Sequence, residues 1–392
     1  MKLRSLIALA GASAVAAVVM LPRPARPAPP SPSLPYKCIA LGTLGGNWST
    51  SNGVNDLGEV VGYSSQTGNS IRNINLDERA FYWRDVNGNN FSDAGEMVFL
   101  GSLGYNSTAF AISNGGEAVG VSKVDNVGPS RAILWNVRSD PRTMTDLNSL
   151  LSPADQATWL LTIGRDINQN RQVTGQAVRL SDSALRGFVF DLNTGELSIL
   201  DPLTRLSSNA KSLNNLAPPQ AVGSLSGNSL PSSGFFFNGA MTSDLAPLVY
   251  GIGVNDSNEV AGTVNGHPAY WKDTNGNGIV DGTELVDLGL LGPAASTAPY
   301  GEGSAINNSH WLVGNTSAAK KVGPYVPQVA IRWQAGTPIT AKQDLNKLTT
   351  APWTLTRALD ISDAGMIVGW GNGSPFGYAL TANDRAYILK PN

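Results

Sequence analysis

The chain has 392 residues, a formal net charge of −2 at neutral pH and charged side chains at 14% of its positions. A protein that binds nucleic acid needs clustered basic side chains to neutralise phosphates, and no basic stripe occurs in this sequence, so nucleic acid is excluded as a partner. Glycine occurs 43 times and no segment keeps a helical hydrophobic period beyond a turn or two, which indicates short strands joined by turns.

The first 35 residues differ in composition from the rest of the chain. Lys2 and Arg4 precede an uninterrupted run of apolar and small residues over 5–20, and a Pro/Ala/Arg-rich stretch follows. This order is typical of an export signal, and the run is shorter than the roughly 20 residues that a membrane span requires. We therefore predict a secreted protein, extracellular or periplasmic, with a signal and Pro-rich segment at 1–35 and no membrane span once the signal is removed. A retained anchor is the alternative.

Cys38 is the only cysteine in the sequence. A disulfide framework within the chain is therefore excluded, and an exported protein of this size must be stabilised by its hydrophobic core, to which a bound metal would add. Lys37 occupies the position where a lipoprotein signal would have a small residue, so lipidation of Cys38 is not expected.

One short phrase recurs seven times along the chain. Each copy has a small residue, an apolar residue and Asn or Ser, then turn-forming residues, two or more apolar residues and a glycine. The pattern predicts a tight antiparallel hairpin, because the turn-forming residues tolerate the backbone conformations of a short loop between apolar strands. The seven copies lie at 53–62, 111–120, 166–175, 212–223, 253–262, 305–314 and 360–369.

A third apolar element and a weaker fourth one follow the hairpins. In the first unit these elements are 80–83 and 97–100, and in the second unit they are 132–135 and 144–147. Each unit thus has four short strands and is as long as the interval between successive hairpin copies. These two features match a propeller blade rather than a leucine-rich or ankyrin repeat. We therefore predict an all-β fold, a seven-bladed β-propeller that occupies 36–392 as a single domain.

The two ends of the repeat region are complementary. The chain stops at the third strand of the seventh unit, 386–389, whereas 38–45 matches the fourth-strand phrase of the first and fifth units. If this N-terminal strand completes the last blade, no long unpaired sheet edge remains. We therefore predict a monomeric ring closed by the N-terminal strand. An open stack of blades or two smaller propellers are the alternatives.

Three phrases of the first unit, at 41–46, 54–62 and 80–83, carry a family resemblance. They resemble the repeats of the HAF family of extracellular repeat proteins, and the resemblance extends over nearly everything after the signal. It implies export and a β-rich repeat fold, and it implies no established reaction. The fourth unit departs most from the pattern, with Ala217-Pro218-Pro219-Gln220 at its hairpin, so we expect its blade to be irregular.

Two segments between third and fourth strands match the twelve-residue calcium loop. Side-chain oxygens stand at positions 1, 3, 5, 9 and 12, and position 7 contributes its backbone carbonyl. Every donor is an oxygen, whereas zinc would need Cys or His. We therefore predict two structural calcium sites, in loops of the dockerin or EF-hand type, formed by Asp85, Asn87, Asn89, Phe91, Asp93 and Glu96, and by Asp273, Asn275, Asn277, Ile279, Asp281 and Glu284.

The second calcium loop is the stronger match to the pattern. The first has Asn90 where the loop normally has Gly, and Asn tolerates a left-handed backbone better than most residues do. Strand-like residues flank both loops, so bound calcium would order a long hairpin rather than open a pair of helices. The alternative is that both segments are turns that bind no metal.

Residues that would suggest catalysis either recur with the repeat or stand alone. Asp56, Asp256 and Asp363 occupy equivalent turns, which indicates turn chemistry. Neither His267 nor His310 has a neighbouring nucleophile or carboxylate motif in the sequence, and we predict no catalytic residues.

Aromatic side chains outside the repeat pattern mark the first place to look for a ligand. Trp48, Tyr105 and Tyr300 lie in connections between a fourth strand and the next first strand, which cluster around the channel on one face of a propeller. We predict an exported, non-enzymatic module that is stabilised by calcium and binds an extracellular protein or glycan. The alternatives are a hydrolase or lyase acting on polysaccharide or peptide at the channel mouth, and a purely structural role.

Overall fold

The structure, a computed structural model, describes residues 34–66, 78–200, 206–227, 231–291, 300–318, 327–372 and 384–392. Residues 1–33 of the predicted signal and Pro-rich segment (1–35) lie outside these ranges. The described residues form seven four-stranded antiparallel sheets arranged in a ring. The fold is an all-β, seven-bladed β-propeller, and this part of the sequence prediction is confirmed.

Blades 1 to 6 each run in chain order from the innermost to the outermost strand. Blade 1 contains β2 (Ser49–Val54), β3 (Val60–Ser65), β4 (Glu78–Trp83) and β5 (Met97–Phe99). Blade 2 contains β6 (Ser107–Ile112), β7 (Glu117–Ser122), β8 (Arg131–Asn136) and β9 (Thr143–Asp146). Blade 3 contains β10 (Trp159–Ile167), β11 (Gln172–Arg179), β12 (Leu185–Asp191) and β13 (Leu197–Leu200).

The next three blades have the same construction. Blade 4 contains β14 (Ser207–Leu213), β15 (Ala221–Ser226), β16 (Ser233–Phe237) and β17 (Thr242–Asp244). Blade 5 contains β18 (Tyr250–Val254), β19 (Glu259–Val264), β20 (His267–Lys272) and β21 (Leu285–Asp287). Blade 6 contains β22 (Gly301–Ile306), β23 (Trp311–Ser317), β24 (Gln328–Gln334) and β25 (Gln343–Asp344).

Blade 7 joins the two ends of the described chain. It contains β26 (Thr354–Ile361), β27 (Ile367–Asn372), β28 (Arg385–Pro391) and, as its outermost strand, β1 (Tyr36–Gly42). β1 pairs antiparallel with β28, with Tyr36 opposite Pro391 and Cys38 opposite Leu389. The N-terminal strand therefore closes the ring, as the sequence predicts.

Helical structure in the described residues is short. It consists of α1 (Pro153–Thr158) and of 3₁₀ turns at Leu147–Leu150, Ile339–Ala341 and Leu345–Lys347. Ser152 caps α1 by accepting a hydrogen bond from the backbone N–H of Asp155. Within the part of the chain that the structure describes, no helix has the length and apolar character of a membrane span.

The core lies between neighbouring blades. Trp83 is fully buried against Ile39 of β1 and Ile388 of β28, so one indole ring seals the contact between blades 1 and 7. Trp135, Trp271 and Trp333 occupy the equivalent position in blades 2, 5 and 6 and are also buried. Truncating a buried aromatic of this kind to alanine costs about 3–5 kcal/mol, so these repeat-locked residues hold the ring together.

Blade 4 keeps all four strands, and its first hairpin departs from the repeat. In blade 1 the backbone N–H of Asn55 donates to the carbonyl of Glu59, which closes a short turn. In blade 4 the corresponding bond runs from Asn214 to Gln220. The proline pair therefore lengthens the turn and leaves the blade intact.

The innermost strand of every blade contains a β-bulge at the same repeat position. In β2, for example, Ser51 pairs with Gly62 and Gly53 pairs with Val61, so Asn52 between them has no partner in β3. A bulge adds one residue to a strand and turns its side chain in a new direction. The seven bulged residues, which we call the bulge ring, are Asn52, Phe110, Arg165, Lys211, Ile252, Ser304 and Leu359.

Candidate functional site

Two loops and two ends of the central channel are the candidate functional regions. Loop 1 (85–96) connects β4 to β5, and loop 2 (273–284) connects β20 to β21. Both therefore extend from the end of a third strand, on the same face of the propeller as the hairpins between first and second strands. The strand flanks predicted for both loops are present.

The glutamate at position 12 folds back on the start of each loop. In loop 1, Oε1 of Glu96 accepts a hydrogen bond from the backbone N–H of Val86 at 2.8 Å. In loop 2, Oε1 of Glu284 accepts from the backbone N–H of Thr274 at 2.7 Å. Both glutamates are 7% exposed, so the last predicted ligand lies inside its loop.

The aspartate at position 1 binds the backbone of the loop. Oδ1 of Asp273 accepts from the N–H of Gly276 at 2.7 Å, and Oδ2 accepts from the N–H of Gly278 at 2.8 Å. In loop 1, Oδ2 of Asp85 accepts from the N–H of Asn90 at 3.1 Å. Asn90 has φ +60° and Gly278 has φ +72°, so Asn90 adopts the left-handed conformation expected at the glycine position.

Asparagine amides surround the aspartate at position 9. In loop 1, the Nδ2 atoms of Asn87 and Asn89 lie 2.8 and 2.7 Å from Oδ2 of Asp93. Loop 2 repeats this arrangement, with distances of 3.0 and 2.7 Å between the corresponding atoms of Asn275, Asn277 and Asp281. The carboxylate thus attracts the positive ends of two amide dipoles, and a cation would be attracted to the same place.

The donor set of both loops fits calcium. The side chain of Asp85 is only 4% exposed, and its Oδ1 has no hydrogen-bond partner among the described residues, which is costly for a carboxylate oxygen. No three His, Cys, Asp or Glu side chains converge as a metal site in the ranges that the structure describes. Half of the predicted ligands are instead asparagine or backbone oxygens, which hard cations accept. The two calcium sites remain a prediction.

Loop 1 contacts β1, the strand that closes the ring. Oγ of Ser92 donates to the carbonyl of Leu41 in β1 at 2.8 Å and accepts from Nε1 of Trp83 at 2.9 Å. Nζ of Lys37 in β1 lies 4.9 Å from the centre of the Phe91 ring. Any change in the order of loop 1 therefore acts directly on β1.

A belt of hydrogen bonds encircles the hairpin end of the channel. The backbone N–H of Asp56 donates to Oδ1 of Asn114 in the next blade at 2.9 Å, and each following blade repeats this bond. The N–H of Ala364 donates to Oδ1 of Asp56 at 2.8 Å and completes the circle. The members are Asp56, Asn114, Gln169, Asn215, Asp256, Asn308 and Asp363. The recurring aspartates thus bind backbone amides between blades.

The opposite end of the channel opens into a cavity of about 680 Å³, which we call the wide cavity. All seven members of the bulge ring line it. Tyr250 and Tyr300 stand in its wall, so the sequence located Tyr300 correctly. Trp48 instead is buried and packs edge-on against Tyr63 with ring centres 5.5 Å apart, and Tyr105 does not line the cavity.

Two cationic side chains of the bulge ring lie on neighbouring blades. Arg165 is stacked on the Phe110 ring, with its guanidinium carbon 4.5 Å from the ring centre. Neither Arg165 nor Lys211 has an ion pair or a side-chain hydrogen bond among the described residues. Burial, together with the charge of Arg165, lowers the pKa of Lys211 to about 8, and Glu302 opposes this shift.

The carboxyl groups of the wide cavity are engaged by neighbouring groups. Oε2 of Glu302 accepts from the hydroxyl of Tyr300 at 2.5 Å. At the floor, Oδ2 of Asp360 accepts from the N–H of Val54 in the next blade at 2.9 Å. Asp166 makes the equivalent bond from blade 3 to blade 4 at 3.1 Å. Burial raises the pKa of Asp360 to about 7 and also raises the pKa of Asp166.

Both histidines contact carboxylates that the sequence does not place near them. Nδ1 of His267 lies 2.9 Å from Oδ1 of Asp287, and Nδ1 of His310 lies 2.7 Å from Oε2 of Glu259 in the preceding blade. The partners are 20 and 51 residues away along the chain, so no local sequence motif indicates these contacts. Glu259 also accepts from Tyr270, which makes its contact with His310 part of an interblade network.

Residues 59–245 match a family model described as "Protein of unknown function (DUF3466)". The HAF resemblance is therefore wrong, and neither HAF repeats nor dockerin repeats are supported. The phrases behind it consist of a glycine turn and a buried strand, which blade geometry favours in any propeller, so they do not distinguish one family from another. No curated protein matches the chain.

Several solved structures are similar in fold. The β-propeller domain of the Trilobed protease from Pyrococcus furiosus, described as having an open velcro topology, is 8% identical with a TM-score of 0.50 over 88% of this chain and 95% of that chain. YCF48 from Cyanidioschyzon merolae is 10% identical with a TM-score of 0.47 over 91% and 98%. TolB from Acinetobacter baumannii is 10% identical with a TM-score of 0.39 over 71% and 62%. The similarity to the Trilobed protease domain shows a shared propeller fold alone.

Proposed function

We propose that this chain is an exported, non-enzymatic binding module, stabilised by calcium, that takes its ligand in the wide cavity. The observation that carries the proposal is the bulge ring. Its seven side chains differ from blade to blade, although they stand at one repeat position, and all of them line the cavity. The seven blades share one fold, but they thus place seven different side chains in the wide cavity.

The position directly after each bulge shows which residues the close packing between blades selects. The residue after each bulge is small in five blades, because its side chain faces the next blade at close range. A Cβ atom on Gly253 would lie 2.8 Å from Cα of Ala305, for example. The bulged residues instead line the wide cavity, and their variety supports a role in recognition rather than in assembly.

The state of the carboxyl groups favours binding over hydrolysis. Glycoside hydrolysis requires an acid and a base or nucleophile that face one substrate bond. In the wide cavity Asp166 and Asp360 bind backbone amides of the next blade, and Glu302 binds Tyr300. These contacts support a site that holds its ligand unchanged.

The proposal gives calcium the role of a structural ion. The oxygen ligands predicted in loops 1 and 2 would hold it, and its positive charge would offset the carboxylates gathered in each loop. Loop 1 contacts β1 through Ser92 and Phe91, so an ordered loop 1 stabilises the closed ring. The ring in turn fixes the geometry of the wide cavity at its centre.

A binding screen with a blocked cavity tests the proposal. Purified protein is applied to arrays of extracellular glycans and peptides beside Ile252→Trp, which fills the wide cavity, and Leu57→Trp, which adds the same side chain at an exposed hairpin. We expect a ligand that the wild type and Leu57→Trp retain and Ile252→Trp loses, at equal melting temperatures. Recovery of cleaved ligand, or full binding by Ile252→Trp, would contradict the proposal.

Fractionation of cells tests export. An exported protein is recovered outside the cytoplasm.

A further inference from the structure

The bulge ring concentrates positive charge on one side of the wide cavity. Arg165 and Lys211 lie on the neighbouring strands β10 and β14, at the same repeat position. The other bulged residues are uncharged. We propose that the wide cavity binds a carboxylate-bearing saccharide, with Arg165 and Lys211 receiving the carboxylate, and this inference rests on the proposed function.

The two cations are not balanced by contact ion pairs. No ion pair to either side chain occurs among the described residues, and the charge of Glu302 offsets only part of the effect that burial and Arg165 have on the pKa of Lys211. Two like charges held side by side at partly buried positions repel each other, and burial makes each more costly. An anion bound between them relieves both effects, which is why the arrangement points to a negatively charged group.

The position of the guanidinium favours a carboxylate. The guanidinium carbon of Arg165 lies 4.5 Å from the centre of the Phe110 ring, and its Nε has no hydrogen-bond partner in the described ranges. A guanidinium offers parallel N–H donors that match the two oxygens of a carboxylate, while a lysine ammonium adds a point charge. Arg165 therefore matches the shape of a carboxylate, and Lys211 adds a second positive charge.

The rest of the wall favours a hydroxyl-rich ligand. Oδ1 of Asn209 and Oγ of Ser304 are buried without hydrogen-bond partners among the described residues, and both side chains line the cavity. Asn209 thus offers an acceptor, which sugar hydroxyls can satisfy and a sulfate ion, having no donor, cannot. Tyr250 is 40% exposed in the same wall and presents a ring on which a sugar can pack.

Calorimetry with tri-galacturonate and its methyl ester tests the inference. The ester keeps the size and hydroxyls of the ligand and removes its charge. We expect tri-galacturonate to bind at least about tenfold more tightly than the ester, with an affinity that falls as salt is added. The double variant Arg165→Met and Lys211→Met should lose this preference, whereas Lys347→Met, which removes an exposed cation elsewhere, should keep it.

Each other outcome overturns the inference in a recognisable way. Equal binding of acid and ester would show that the cations do not distinguish a charged ligand from an uncharged one. The proposed function would still stand if Ile252→Trp blocked the binding of both. Tighter binding of a short peptide with a free C-terminal carboxylate would assign the cavity to peptides. Absence of tri-galacturonate binding at millimolar concentration would overturn the ligand class. Failure of Ile252→Trp to block any ligand found would overturn the proposed function itself.

Discussion

The ammonium group of Lys390 in β28 lies 2.9 Å from Oδ2 of Asp85, the first predicted calcium ligand of loop 1. The contact joins the last strand of the chain to a loop of the first blade. It also places a positive charge beside a carboxylate that a cation would need. Loop 2 lacks this feature, because the hydrogen bonds of its Asp273 come from backbone N–H groups.

Replacing Lys390 with methionine should tighten calcium binding at loop 1, because the ammonium no longer competes for Asp85. The measurement is a calcium titration in a background where loop 2 is disabled by Asp273→Ala and Glu284→Ala. We expect a dissociation constant lower than with Lys390 present and a larger calcium-induced rise in melting temperature. Lys347→Met serves as the control for the loss of one positive charge. An unchanged affinity would show that the ion pair and the ion do not compete.

Asp273→Ala together with Glu284→Ala should remove one calcium ion of two. These changes delete the first and last ligands of loop 2 and leave loop 1 unaltered. Equilibrium dialysis should show the stoichiometry fall from two ions to one, and the melting temperature should respond less to calcium. Glu196→Ala, at an exposed site, should leave both quantities as they are. Two ions bound to the double variant would rule out loop 2 as a site.

Asn255→Ala should destabilise the ring far more than Ser362→Ala at the same repeat position. Nδ2 of Asn255 donates to the carbonyl of Asn307 in the next blade at 2.9 Å, and its Oδ1 accepts from two backbone N–H groups. Oγ of Ser362 has no partner among the described residues. Urea denaturation should show that the free energy of unfolding falls by about 3 kcal/mol for Asn255→Ala and by less than about 0.5 kcal/mol for Ser362→Ala. Equal losses would argue against the interblade bond.

Asp360 should make stability depend on pH. Burial raises its pKa in the folded protein to about 7 from an ordinary value of 3.8. The stabilising contribution of the protonated carboxyl is therefore complete below about pH 3.8 and is lost as pH rises through 7. Asp360→Asn carries no titrating group there, so the advantage of the wild type over this variant in melting temperature should shrink between pH 4 and pH 8. A difference that stays constant over this interval would refute the assignment.

Cys38 should report on closure of the ring. It pairs with Leu389 across the β1–β28 contact, and burial raises the pKa of its thiol to about 12. Because the thiolate is the reactive form, a thiol reagent at pH 8 should label the folded protein much more slowly than the denatured protein. Calcium should slow labelling further in the wild type and have little effect in Asp85→Ala with Glu96→Ala. Labelling at the denatured rate would mean that β1 is not held in place.

Local patterns in the sequence suffice to predict the blades and their closure. A turn phrase between apolar runs determines a hairpin wherever it occurs, and 38–45 has the composition of a missing fourth strand. The bulge ring could not be predicted in this way, because a bulge is defined by the pairing of two strands. One signal was nevertheless present: the residue before each repeat phrase differs in every unit. The contacts of His267 and His310 likewise depend on residues brought together only by folding.

The closing strand has a consequence for the order in which the molecule can form. β1 precedes every other described strand along the chain, and its only neighbour in the sheet, β28, follows all of them. Blades 1 to 6 each form from consecutive strands, but blade 7 stays open until β28 is available to β1. During this interval β1 needs protection from pairing with a foreign strand, and a chaperone that recognises this edge would have its longest opportunity there.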